Sequence, residues 1–198
     1  RSGAIEGSLR DKYAGPSERI VLYVGRLVPE KGVNVLIGAI PRILSEHPNT
    51  KFIIVGEGYS REMLSSLSRS LGVDRKVFFT GYVSDGDVKG LLGLADVQVV
   101  PSIYEPFGIV CLEAMASGTP VVASDTGGLS EIVEDGITGL KVPPNNSEAI
   151  AHAVNRLLSD GALRGSMSKR ARERASEKFS WKAIADLTTE MYGSIIQK

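Results

Sequence analysis

The chain has 198 residues, enough for one domain with a sizeable core, and its 42% hydrophobic and 23% charged content is ordinary for a soluble globular fold. Its 23 Lys plus Arg balance 23 Asp plus Glu, so no net field favours nucleic acid or an anionic membrane, and any basic site must be local. A single cysteine, Cys111, excludes an intrachain disulfide, and no stretch approaches the roughly 20 apolar residues that cross a bilayer.

The opening segment Arg1–Asp11 is polar and lacks a signal-peptide pattern, and a start on arginine suggests a piece of a longer protein. After it, short apolar runs at Ile20–Val24, Phe52–Val55, Val77–Phe79, Val97–Val100 and Pro120–Ala123 read as strands buried on both faces. Helical signals lie between them. Leu36, Ile40, Ile43 and Leu44 share one face, with Pro41 expected to kink or break that helix. Leu64, Leu67 and Leu71 repeat at helical spacing, with Gly72 as the stop. Ser84 or Asp85 is placed to cap a helix through Leu91 and Leu92. Three further helices are expected: Glu148–Leu158 capped by Ser147, then Leu163–Glu177, then Trp181–Ile196. The alternation predicts an α/β fold, a single Rossmann-like doubly wound parallel sheet with a C-terminal helical tail. Such sheets bind ligands beyond the carboxyl ends of their strands, so the loops after each strand carry the functional question.

The first loop, Gly25-Arg26-Leu27-Val28-Pro29-Glu30-Lys31-Gly32, combines a glycine that lets a ligand approach with two cations suited to a diphosphate. By itself it reads more simply as a strand end followed by a solvated basic turn. The second, Gly56-Glu57-Gly58, lacks the third glycine of a dinucleotide fingerprint, and a tight turn explains it as well. In the third, Asp85-Gly86-Asp87 matches a metal-binding D-x-D pattern, but lies where a helix start wants caps and negative charge. Capping is the preferred reading, and no metal is assigned.

The fourth loop, Pro101-Ser102-Ile103-Tyr104-Glu105-Pro106-Phe107-Gly108-Ile109-Val110, leads into a helix whose first amides, near Gly108, Ile109 and Val110, lack intrahelical acceptors and form a phosphate site. Glu113 lies on the Ile109 face, about 6 Å further along the axis, where it can accept from two ribose hydroxyls. Glu105 precedes the helix, on the side where a sugar on the outer phosphate lies. Singly, each acid reads as a surface or helix carboxylate; with the glycine helix start and two cations, they read as a nucleotide-sugar clamp. In the fifth loop, Gly127-Gly128 either touches the ligand or shapes the turn. Cys111 is expected to be a buried small residue.

The motifs GRLVPEKG, VGEG, TGYVS and PSIYEPFGIVCLEAMASGTPVVASDTGGLSE, in this order, resemble the C-terminal half of retaining GT-B glycosyltransferases, most closely glycosyltransferase family 4. The resemblance covers about Ile20 to the Trp181 helix. It implies that Arg26 and Lys31 hold the donor diphosphate and stabilise the leaving group, and that Glu105 binds the transferred sugar and Glu113 the ribose. It also implies backbone contacts from Gly108, Ile109 and Val110 to the outer phosphate and from Tyr82 and Val83 to the base, with Gly25 and Phe107 in the substrate site. The donor would be a UDP-, ADP- or GDP-linked sugar, with no metal or other cofactor and a cytoplasmic location. A separate N-terminal domain would bind the acceptor, and the Trp181 helix would pack on it, leaving part of its apolar face exposed in this chain alone. A nucleotide-binding module without catalysis of its own is the alternative. Reading Glu105 and Glu113 as a hydrolase pair is disfavoured, because phosphate-type amides between them have no place in that chemistry.

Overall fold

The computed structural model describes residues 9–196, so the polar opening segment lies outside the described residues as far as residue 8. Six strands form one sheet: β1 (Arg19–Val24), β2 (Thr50–Val55), β3 (Val77–Gly81), β4 (Val97–Val100), β5 (Val121–Ser124) and β6 (Leu140–Val142). Their order is β3-β2-β1-β4-β5-β6, and every pairing is parallel. The register runs from Arg19 opposite Thr50 to Val24 opposite Val55 on one side of β1, and pairs Val21 with Val97 on the other.

Alternation along each strand divides the apolar side chains between two cores. Val21 and Tyr23 join Val97 and Val99 on one face, while Ile20 and Leu22 join Val100 on the other. The first face is covered by α1 (Val33–Glu46), α2 (Arg61–Ser70) and α6 (Ser147–Ser159), and the second by α3 (Asp85–Leu94), α4 (Ile109–Ser117), α5 (Gly127–Ile132) and most of α7 (Gly161–Lys178). The last helix, α8 (Trp181–Ile196), continues beyond both cores. Leu36, Ile40 and Ile43 of α1 are fully buried, each worth about 2 kcal/mol of transfer free energy.

Three local expectations change. α1 runs unbroken through Pro41, which sits on its exposed side. The cap of α6 is Asn146, whose side chain accepts from the Ala149 amide at 2.9 Å, and Ser147 is the first helical residue instead. β6 has no sequence signature: its three residues, Leu140-Lys141-Val142, are too few to show a period, and only pairing with β5 makes them a strand.

Candidate functional site

β1 and β4 lie side by side, yet the chain leaves β1 towards β2 and leaves β4 towards β5 in the opposite direction. That divergence opens a crevice at their carboxyl ends. The first and fourth loops form its walls and are stitched together: the Ile103 amide donates to the Glu30 carbonyl at 2.8 Å. Gly32, with φ 64°, permits the closest approach, since a Cβ there would stand 2.0 Å from the Pro101 carbonyl oxygen. Between the walls is a cavity of about 230 Å³ lined by Tyr23, Gly25, Lys31, Ser102, Glu105, Phe107 and the Gly108–Val110 segment among others.

Lys31 and Glu105 meet in this cavity. Lys31 ends a single 3-10 turn, Pro29–Lys31, whose leading proline presets the backbone. Its Nζ stands 2.7 Å from Glu105 Oε2, with side chains only 18% and 10% exposed. The hydroxyl of Ser102 donates to the same oxygen at 3.3 Å. An ammonium carries three donors, so Lys31 can hold this carboxylate and still offer N–H groups to a second anion.

The start of α4 forms the floor. Gly108 is its N-cap with φ 80°, and the first helix amides with backbone acceptors are those of Cys111 and Leu112, both on the Gly108 carbonyl. Among the described residues, the amides of Gly108, Ile109 and Val110 have no backbone acceptor. A helix of nine residues ending in free donors beside a half-buried ammonium is suited to oxyanions.

Other sequence-predicted residues are less closely gathered. The Arg26 side chain is 72% exposed and faces Glu30 at 3.7 Å, outside the cavity lining, although Tyr23 donates from its hydroxyl to the Arg26 carbonyl at 2.8 Å. Glu113 lies on the exposed flank of α4 with Ile109 and lines a separate apolar groove of about 980 Å³ between α4, α5, α7 and α8. The two carboxylates of the Glu105–Glu113 spacing therefore do not share one hollow. The cavity and the groove meet at Phe107 and Ile109, which line both. Tyr82 is 77% exposed, and Val83 is half-buried against the second core.

Residues 8–174 match the family model of glycosyl transferases group 1. This chain belongs to that family. It is 47% identical over 175 residues to an uncharacterised glycosyltransferase of Methanocaldococcus jannaschii, covering 88% of this chain and 45% of the relative. It is 42% identical over 183 residues to a glycogen synthase of Mycobacterium tuberculosis, covering 92% and 44%. The chain thus spans about half the length of the curated relatives it matches. Among solved structures, a sucrose-phosphate synthase of Thermosynechococcus elongatus superposes with a TM-score of 0.83 at 36% identity, over 96% of this chain and 49% of that one. Anabaena HepE, solved in complex with UDP-glucose, superposes with a TM-score of 0.87 at 29% identity, over 98% and 54%. The group 1 glycosyltransferase fold here is of the C-terminal GT-B type.

In this glycosyltransferase domain Gly127 and Gly128 pack against the fourth loop. The Gly128 amide donates to the Glu105 carbonyl at 2.9 Å, and a Cβ on Gly128 would come within 2.6 Å of the Phe107 carbonyl oxygen. They shape the wall that carries Glu105. Gly56 and Gly58 likewise abut the carbonyls of Gly25 and Leu27 and so brace the first loop. Ser84 caps α3 by accepting from the Asp87 amide at 3.2 Å, with Asp85 and Asp87 in the first turn, which is the capping arrangement. Among the described residues no three His, Cys, Asp or Glu side chains are grouped to share a metal ion, and no helix is long and apolar enough to cross a membrane.

Two hydroxyl-bearing cavity residues are not marked as site residues by the sequence. Tyr23 looks like an ordinary strand residue, and Ser102 like a loop residue; only their place at the carboxyl ends of β1 and β4 marks them. Burial, reinforced by the Glu105 charge, raises the Tyr23 phenol above its ordinary range. The same two causes push the Cys111 thiol up to about 12, so it stays protonated near neutrality and offers no nucleophile.

Proposed function

We propose that this domain binds a nucleoside diphosphate sugar and, with an N-terminal acceptor-binding domain, transfers the sugar to an acceptor hydroxyl with retention of anomeric configuration. The observation that carries the reading is the Lys31–Glu105 pair at 2.7 Å, set in the β1/β4 crevice beside the unpaired amides that open α4. A diphosphate bridging Lys31 and those amides would bring its outer sugar against Glu105. That HepE was solved with UDP-glucose, on the same fold, supports the donor class.

As the glycosidic bond breaks, positive charge grows on the sugar ring and negative charge on the departing diphosphate. Lys31 and the amides at Gly108, Ile109 and Val110 oppose the negative charge with groups already in place, which is how preorganised sites lower barriers. Arg26, exposed at the crevice mouth, turns inward to the phosphates on this reading. Glu105 orients the sugar, and Phe107 and Gly25 border it. Glu113 reaches the ribose from the adjoining groove, and Tyr82 and Val83 present backbone to the base. The reaction as proposed uses no metal, and the enzyme is assigned to family 4 and to the cytoplasm.

In the full-length enzyme, Lys31→Ala and Glu105→Ala should each lower turnover by about a hundredfold or more while changing unfolding free energy by only about 1–2 kcal/mol. Steady-state kinetics and urea unfolding measure the two effects; near-normal turnover in both variants would sink the assignment. A second reading follows from the chain's covering about half of its relatives: alone, it is a nucleotide-sugar-binding module without catalysis. Titration with UDP, ADP and GDP alongside a donor-hydrolysis assay separates the two, because appreciable hydrolysis by this chain excludes the module reading.

A further inference from the structure

We propose that Ser102 is a positioning residue of the donor site, holding Oε2 of Glu105 so that Oε1 is presented to the transferred sugar. This rests on the donor reading above and extends it to a residue with no role there. Ser102 is 1% exposed and its backbone is clamped: the Pro101 carbonyl abuts Gly32, and the Ile103 amide is held by Glu30. Its hydroxyl therefore stands at a defined place and donates to Glu105 Oε2 at 3.3 Å. That is long for such a bond, but it is the only acceptor the hydroxyl has among the described residues.

Lys31 occupies the same oxygen at 2.7 Å. Oε1, by contrast, accepts from no described residue, and it is not among the buried polar atoms left without a partner. One carboxylate oxygen is thus doubly held and the other is free to meet a hydroxyl. A diphosphate competes with Glu105 for the ammonium of Lys31, because both are anions and the phosphates carry more charge. Ser102 is not diverted in this way. A neutral hydroxyl with one proton keeps its bond to the nearest carboxylate and fixes Oε2 while Lys31 turns to the phosphates.

The test uses calorimetric titration of the full-length enzyme. UDP, ADP and GDP are titrated first; if none binds, the donor reading fails, and Ser102 falls with it. The nucleotide that binds is then titrated as its glucose, galactose, mannose and N-acetylglucosamine conjugates, giving the gain in affinity from the attached sugar. No gain for any sugar in the unaltered protein overturns the roles of Glu105 and Ser102 while leaving nucleotide binding intact. Where a gain exists, Ser102→Ala should cut it by about tenfold, as for loss of one hydrogen bond to a carboxylate, with nucleotide affinity held within about twofold. Ser102→Thr, which keeps the hydroxyl, should recover most of it. If the alanine variant fails to fold, Ser102→Cys, a much weaker donor of similar size, reads the same way. An unchanged sugar gain, or a parallel fall in nucleotide affinity that marks a merely structural role, overturns the proposal.

Discussion

At Gly127 the backbone takes φ 48°, and a Cβ there would stand 2.1 Å from the carbonyl oxygen of Glu105. Neither the conformation nor the contact suits an L side chain. Relief would have to come from the peptide that carries Glu105, so this glycine sets the position of a site residue it does not touch through any side chain. Gly127→Ala should lower stability by about 2–3 kcal/mol and weaken sugar binding with it. Gly136 offers the control: its φ of 71° is similar, but nothing lies within 4 Å of its missing Cβ. Gly136→Ala should cost about 1 kcal/mol and leave the ligand affinity unchanged. Chemical denaturation of both variants makes the comparison, and equal losses would show that strain alone, without the contact, explains Gly127.

Among the elements, α3 shows how a motif changes meaning with its place. Asp85-Gly86-Asp87 spans the first turn, directly after Ser84 has taken the Asp87 amide. Negative charge there opposes the positive end of the helix, and the cap satisfies one of its orphan donors. Ser84→Ala should therefore lower stability by about 1 kcal/mol, measured by urea unfolding, with no effect on nucleotide affinity. A loss of affinity without loss of stability would return the motif to the ligand. α4 carries a comparable lesson. Its sheet-facing side, Cys111, Ala114 and Met115, is fully buried, while Ile109 and Glu113 face outward. The helical period places Glu113 on the flank with Ile109, and the structure keeps it there, in the groove that adjoins the Glu105 cavity at Phe107 and Ile109.

On the scale of the whole molecule, two cores hold the sheet between them and α8 stands apart. Trp181, Leu187, Met191 and Tyr192 are each more than half exposed, and nearly every described side chain of α8 is open to solvent. Such an apolar stripe contributes little to this domain's own stability. Removing residues from 181 onward should shift the unfolding free energy of this chain by no more than about 1 kcal/mol, read from its denaturation midpoint. A larger loss would mean that α8 belongs to the core. Five of the six strands and the longer helices were legible in the sequence because burial on both sheet faces leaves runs of Val, Ile and Phe, and burial on one helix face leaves the spacing of Leu36, Ile40 and Ile43. The loop glycines, Lys31, Glu105 and the start of α4 were legible too, since each residue type advertises its own chemistry. What only the tertiary structure decided is proximity. Lys31 and Glu105 are 74 residues apart in sequence and 2.7 Å apart in space, because β1 and β4 are neighbours in a sheet whose order no local pattern states. Gly127, beyond β5, is likewise brought against the Glu105 carbonyl only by the fold, whereas Ser102 meets Glu105 within one loop, three residues away, and the helical period turns Glu113 onto a different hollow.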